Sequence, residues 1–122
     1  MTRTRGAASF SPADRLHNSA EFRYLQRHGA RIEAAHFVLY AGRFPGDDKS
    51  RLGVTVSKRV GNAVIRNRVK RRVRETYRLA LRDIFKPGIS LVVIARTGAG
   101  ELTSAAIGGE LKAAALAIAK RL

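Results

Sequence analysis

Cysteine is absent from the 122 residues, so neither a disulfide framework nor a thiolate metal site can be built, which fits a reducing compartment such as the cytoplasm. Acidic residues are scarce: nine Asp and Glu stand against 24 Lys and Arg, for a formal net charge of +15. Such an imbalance implies a polyanionic partner, nucleic acid by default. Long apolar runs are also missing. The longest, residues 113–119, is mostly alanine and far too short to span a bilayer, so no membrane role is expected. The opening MTRTRGAASFSPA has Arg and Ser and no acid, in the manner of a transit peptide. It lacks the apolar middle of a secretory signal, and residues 1–14 are expected to form a flexible basic arm.

The residues needed for unaided hydrolysis of phosphodiesters are equally thin. A metal-dependent nuclease clusters carboxylates, and a metal-free one sets a His beside a base. Here Asp14, Glu21, Glu33, Asp47, Asp48, Glu75, Asp83, Glu101 and Glu110 are scattered, and the one adjacent pair falls in a turn. His17, His28 and His36 have no ligand spacing and read as ordinary polar histidines.

What is present is enough apolar material, 45% of the chain, to fold one domain over residues 15–122. Residues 51–57 alternate, with Leu52, Val54 and Val56 on one side, the period of a half-buried strand. Gly61 breaks it and Asn62 is placed to cap a helix. From there Ile65, Val69, Val73 and Ala80, with Thr76 and Tyr77 beside them, follow helical spacing. Asn67, Lys70, Arg71, Arg74 and Arg78 project from the opposite face, and Arg66, Arg68 and Arg72 flank the stripe. Residues 49–74 hold ten Lys or Arg and no acid, so the ion pairs that balance a solvated helix are missing and the face repels itself unless a polyanion lies on it.

Around this stretch the pattern predicts a short helix over 20–28 capped by Ser19, with Phe22 and Leu25 as its apolar edge and Gly29 closing it. A strand is expected over 36–41, with Tyr40 on the face of Val38 and His36, and a turn at 44–48 that makes an antiparallel hairpin with the strand from Arg51. Taken alone, Phe37 and Tyr40 read as core aromatics. After Lys86-Pro87-Gly88, the apolar run 89–95 reads as a central strand buried on both faces. Thr103 or Ser104 caps a last helix whose Ile107, Leu111, Ala114, Ala115, Ile118 and Leu122 keep helical spacing, weakened by Gly108-Gly109. A further strand is expected between residues 30 and 43 or near Ser57. Helices on one small sheet make an α+β or α/β two-layer sandwich.

The run KRVGNAVIRNRVKRRVRE at 58–75, with Arg66-Asn67-Arg68, Lys70-Arg71 and Arg74-Glu75 at its heart, resembles the signature of the bacterial ribonuclease P protein subunit. The resemblance implies a ribosomal protein S5 domain 2-like fold, with three helices, about four strands in a mixed sheet and a left-handed βαβ crossover through the basic helix. It also implies a chain that assists an RNA catalyst in removing the 5′ leader of precursor tRNA. Lys58, Arg59, Asn62, Arg66, Asn67, Arg68, Lys70, Arg71 and Arg74 would then hold the ribonuclease P RNA, one protein to one RNA. Phe22, Phe37 and Tyr40 would line a cleft for the single-stranded leader, and Mg2+ would be bound mainly by the RNA. In the family a second Phe often stands where this chain has Gln26, and Tyr24 lies too far around the helix to replace it. The rival reading is a ribosomal or other structured-RNA-binding protein with no catalytic association.

Overall fold

A computed structural model describes residues 19–46 and 48–122. The basic arm, Ser11, Asp14, His17 and Asp47 lie outside the described residues. The elements run α1 (Ser19–His28), β1 (Ala30–Glu33), β2 (Phe37–Gly42), β3 (Leu52–Val56), α2 (Ala63–Thr76), β4 (Ser90–Ala95) and α3 (Ser104–Ala119). Ser19 falls inside α1 rather than before it.

The four strands form one mixed sheet in the order β1-β2-β4-β3. β1 pairs antiparallel with β2, β2 antiparallel with β4, and β3 parallel with β4. The expected hairpin between β2 and β3 is therefore wrong. β4 inserts between them, because its nearly unbroken apolar run gains most from a place where both faces are covered. The hairpin instead joins β2 to β1, the further strand expected between residues 30 and 43.

Alternation along the strands divides two cores. Phe37, Leu39, Ala41, Leu52, Val56, Leu91, Val93 and Ala95 point to one face and pack with Val69, Val73, Ile107, Leu111, Ala115 and Ile118 of α2 and α3. On the other face Leu25 of α1 covers Val92, with Phe22, Tyr24, Tyr40, Phe44 and Ile94 around them.

Asn62 caps α2 as expected, its Oδ1 accepting from the Ile65 amide at 3.0 Å. The far end departs from the sequence reading. Residues Tyr77–Leu81 form a π-helical turn and Arg82–Ile84 a 3-10 turn, and Leu81 is buried where Ala80 was expected to be. Val69, Val73, Tyr77 and Leu81 are spaced by four, a spacing that drifts around an α-helix of 3.6 residues per turn. One wider turn cancels the drift and keeps all four in the core. Thr103 caps α3 through a 3.1 Å bond from the Ala106 amide, whereas Leu122 lies past the helix end and is exposed.

α1 rests on one end of the sheet. A Cβ on Gly29 would stand 2.7 Å from the Ala41 carbonyl oxygen, and one on Gly42 would stand 3.3 Å from the Leu25 side chain, so glycine lets helix and strand close together. Glu21 pairs with Arg51, just before β3, at 3.2 Å. The opposite end, where β3 and β4 finish and β2 begins, leads directly into α2.

Candidate nucleic-acid interface

β3 ends at Val56, and the turn at 58–60 is closed by a 3.1 Å bond from the Val60 amide to the Ser57 carbonyl. Lys58 and Arg59 are exposed on that turn. Asn62 then spends its side-chain oxygen on the cap and keeps its amide group at an exposed position. No acid occupies the first turn of α2, so the positive end of the helix dipole adds to the side-chain charge.

Along α2, Asn67 and Arg71 are exposed, Arg66, Lys70 and Arg74 are half-buried, and Val69 and Val73 lie beneath them in the core. Arg72 pairs with Glu75 at 3.4 Å, so the first acid after residue 49 offsets a flanking arginine and leaves Arg71 without an ion pair among the described residues. The Arg66 Nε–H is shielded from solvent and meets no acceptor among the described residues. Arg68 has a second task. One of its terminal nitrogens donates to the Gly100 carbonyl, tying α2 to the 3-10 turn Ala99–Glu101. Gly100 is required there, since a Cβ would stand 2.6 Å from Ile65 Cγ2 and 2.9 Å from the Val60 carbonyl oxygen.

The second candidate surface is the opposite face of the sheet, which α1 covers only in part. Tyr40 sits half-buried on it, directly across from Arg31 in the β1–β2 register. The Arg31 Nε donates to the Tyr40 hydroxyl at 3.1 Å, and the guanidinium lies 5.9 Å from the ring centroid. The Tyr40 hydroxyl, with Glu33 as a lesser cause, raises the Arg31 pKa further above its ordinary value, so the cation persists at any physiological pH. Glu33 bonds to Arg31 at 3.5 Å and also to Arg96, which follows the end of β4. Phe22 joins Tyr40 in the cluster beneath this surface. Gln26 is exposed.

Phe37 does not join them. It is 0% exposed and points into the core beneath α2 and α3, so it has no face to offer a base, and its place in the aromatic cleft is withdrawn. Tyr24 lies on the other flank of α1, against Phe44 and His28, and leaves the Gln26 side unfilled. Sequence reasoning also missed a cavity of about 400 Å3 where the parallel strands end, lined by Ala35, Ser57, Arg59, Ala95, Arg96 and Thr97. Two arginines and two hydroxyls at the carboxyl ends of parallel strands suit an anion. Arg96 carried a signal, standing one residue beyond an apolar strand.

Among the described residues no group of three His, Cys, Asp or Glu converges to hold a metal ion. No described helix is long and apolar enough to cross a membrane. His36 is bound to Glu110, whose carboxylate accepts from the His36 amide at 2.6 Å and lies 2.8 Å from its Nδ1, a clasp between the start of β2 and α3.

The family profile for Ribonuclease P matches residues 10–119. A ribonuclease P protein component from Syntrophobacter fumaroxidans is 41% identical over 111 residues, covering 89% of this chain and 91% of that protein. Two solved structures share the fold. A Staphylococcus aureus RNase P protein mutant, described as having defective mRNA degradation activity, superposes with a TM-score of 0.77 at 34% identity, covering 88% of this chain and 89% of that one. The RNase P protein from Thermotoga maritima gives a TM-score of 0.70 at 28% identity, covering 88% and 96%.

Proposed function

We propose a role that proceeds from one premise: the chain belongs to the ribonuclease P protein family. It acts as the protein subunit of a ribonuclease P holoenzyme, binding the catalytic RNA one to one and assisting removal of the 5′ leader from precursor tRNA. The observation that carries this reading is that the chain presents two surfaces of different chemistry, on opposite sides of one sheet. One is the cationic outer face of α2, the other the sheet face bearing Tyr40, Phe22 and Arg31, and Arg59, in the turn that leads into α2, lines the cavity at the strand ends with Arg96.

The two surfaces suit two kinds of RNA. Lys58, Arg59, Arg66, Asn67, Lys70, Arg71 and Arg74 hold folded RNA through phosphates and 2′-hydroxyls, the arginines as bidentate forks and Asn62 and Asn67 through their amides. Arg68 contributes charge while bracing the helix that carries the others. On the sheet, a single strand stacks on aromatic rings with little sequence preference and runs its phosphates toward Arg59 and Arg96. Mg2+, held by the RNA, would supply the positive charge for activating water and stabilising the leaving oxygen. The protein's own part is to position leader and RNA and to screen their repulsion.

Reconstitution tests the proposal. Precursor tRNA is cleaved by the RNA subunit at low Mg2+ with and without this protein, and faster cleavage with protein is expected. No rate gain, together with co-purification on ribosomes, would turn the reading to a ribosomal or other structured-RNA-binding protein. A parallel arm offers messenger RNA to the protein alone, because the Staphylococcus aureus relative is described by such an activity.

A further inference from the structure

We infer that the flank of α1 turned away from the sheet cleft is an additional contact for single-stranded RNA, in which a base stacks on Tyr24 and His28 while its phosphates meet Arg23 and Arg27.

Helical spacing separates the two flanks. Around Leu25, which is fully buried, Phe22 and Gln26 fall to one side and Tyr24 and His28 to the other. The Phe22 flank faces along the open sheet toward Tyr40. The Tyr24 flank faces past the end of the sheet where β2 finishes, and meets Phe44 beyond that strand. The Tyr24 ring lies 4.6 Å from His28 at 38° and 5.4 Å from Phe44 at 34°, so three rings form a continuous tilted stack across two elements. Tyr24 and Phe44 are half-buried and His28 is exposed.

Anchoring α1 would account for the rings but not for what surrounds them. Arg23, Arg27 and Arg43 are all exposed, and none has an ion pair among the described residues. A cavity of about 200 Å3 is lined by Ala20, Arg23, Tyr24, Arg27 and His28, which sets aromatic rings and guanidinium forks on one concave surface. Asp48 lines an adjoining cavity with Arg43 and Phe44, so the acid stands at the loop and not at the arginine pair. Planar cations beside ring faces match an oligonucleotide, whose bases stack and whose phosphates accept bidentate forks. A carboxylate-rich peptide would use the charge and leave the rings idle.

The site lies at the opposite end of the sheet from the start of α2, so one strand in the cleft does not fill it, and it is independent of the role proposed above. The test is an NMR titration of the whole chain with a uridine decamer and with an abasic decamer of the same charge. Backbone amides of residues 20–28, Phe44 and Gly46 are expected to shift with the uridine decamer and far less with the abasic one. Arg23→Ala with Arg27→Ala, both at exposed positions, should lower the slope of log affinity against log salt at these amides by about 1.4, at about 0.7 per phosphate contact on a single strand. Tyr24→Ala should weaken the affinity read at these amides about tenfold while Tyr24→Phe retains it. Shifts confined to the sheet face and α2, equal shifts with the abasic decamer, or an unchanged salt slope in the double variant would each overturn the inference.

Discussion

Phe37 and Tyr40 stand three residues apart on β2 and point to opposite faces of the sheet, Phe37 into the helix-covered core and Tyr40 onto the open surface. Phe37→Ala should therefore destabilise the fold by about 3 to 5 kcal/mol, through lost contact and the cavity left behind. Tyr40→Ala should instead weaken precursor-tRNA binding by about 1 to 3 kcal/mol with little effect on mature tRNA. Denaturant melts beside binding titrations with both tRNA forms check the split. A Tyr40 variant that loses both tRNAs equally would assign the residue to the core.

Arg71 and Arg68 should separate in the same way on α2. Arg71 is exposed without an ion pair among the described residues, so Arg71→Ala should lower the salt-dependence slope of RNA-subunit binding by about 0.7 to 0.9 and leave the melt unchanged. Arg68→Ala also removes the bond to the Gly100 carbonyl, and should lose about 1 kcal/mol of stability besides its ionic contribution. Equal melts for the two variants would contradict the bracing role.

Two glycines should respond with opposite signs to alanine. A Cβ on Gly109, in α3, meets nothing within 4 Å, so Gly109→Ala should stabilise by about 1 kcal/mol through helix propensity. Gly100→Ala drives a methyl into Ile65 and the Val60 backbone and should destabilise by about 1 to 3 kcal/mol. Thermal melts read both.

The rate gain given by the protein should be largest at low Mg2+ and shrink as Mg2+ or salt takes over the screening, because a +15 chain laid between two RNAs lowers their mutual repulsion. Single-turnover cleavage across a Mg2+ series measures it. A gain that stays constant over the series would point to leader contacts alone.

Local rules account for much of the molecule. The Asn62 and Thr103 caps, the burial of Val69, Val73, Ile107, Leu111 and Ile118, and the central place of β4 all follow from spacing, capping chemistry and the length of an apolar run. The odd separation of Phe37 and Tyr40 already forbade a common face, and the period of a strand would have kept Phe37 out of the cleft. The cationic character of α2 and its approach was legible too, since ten Lys or Arg and no acid in the 26 residues 49–74 need no partner element to be seen.

What the chain could not announce locally is which strands become neighbours and what meets across them. Whether β4 enters between β2 and β3 is decided by the competition of all strands for one core, and that choice sets Arg96 beside Glu33 and closes the Arg59 and Arg96 cavity. The π turn after α2 is likewise a tertiary decision, because only the buried positions on offer make a wider turn better than a regular one. Charge and helical period are properties of a segment, and the sequence determines them alone. Adjacency, the Arg68 brace and the two flanks of α1 are properties of the packed whole, decided where elements distant in the chain exclude water together.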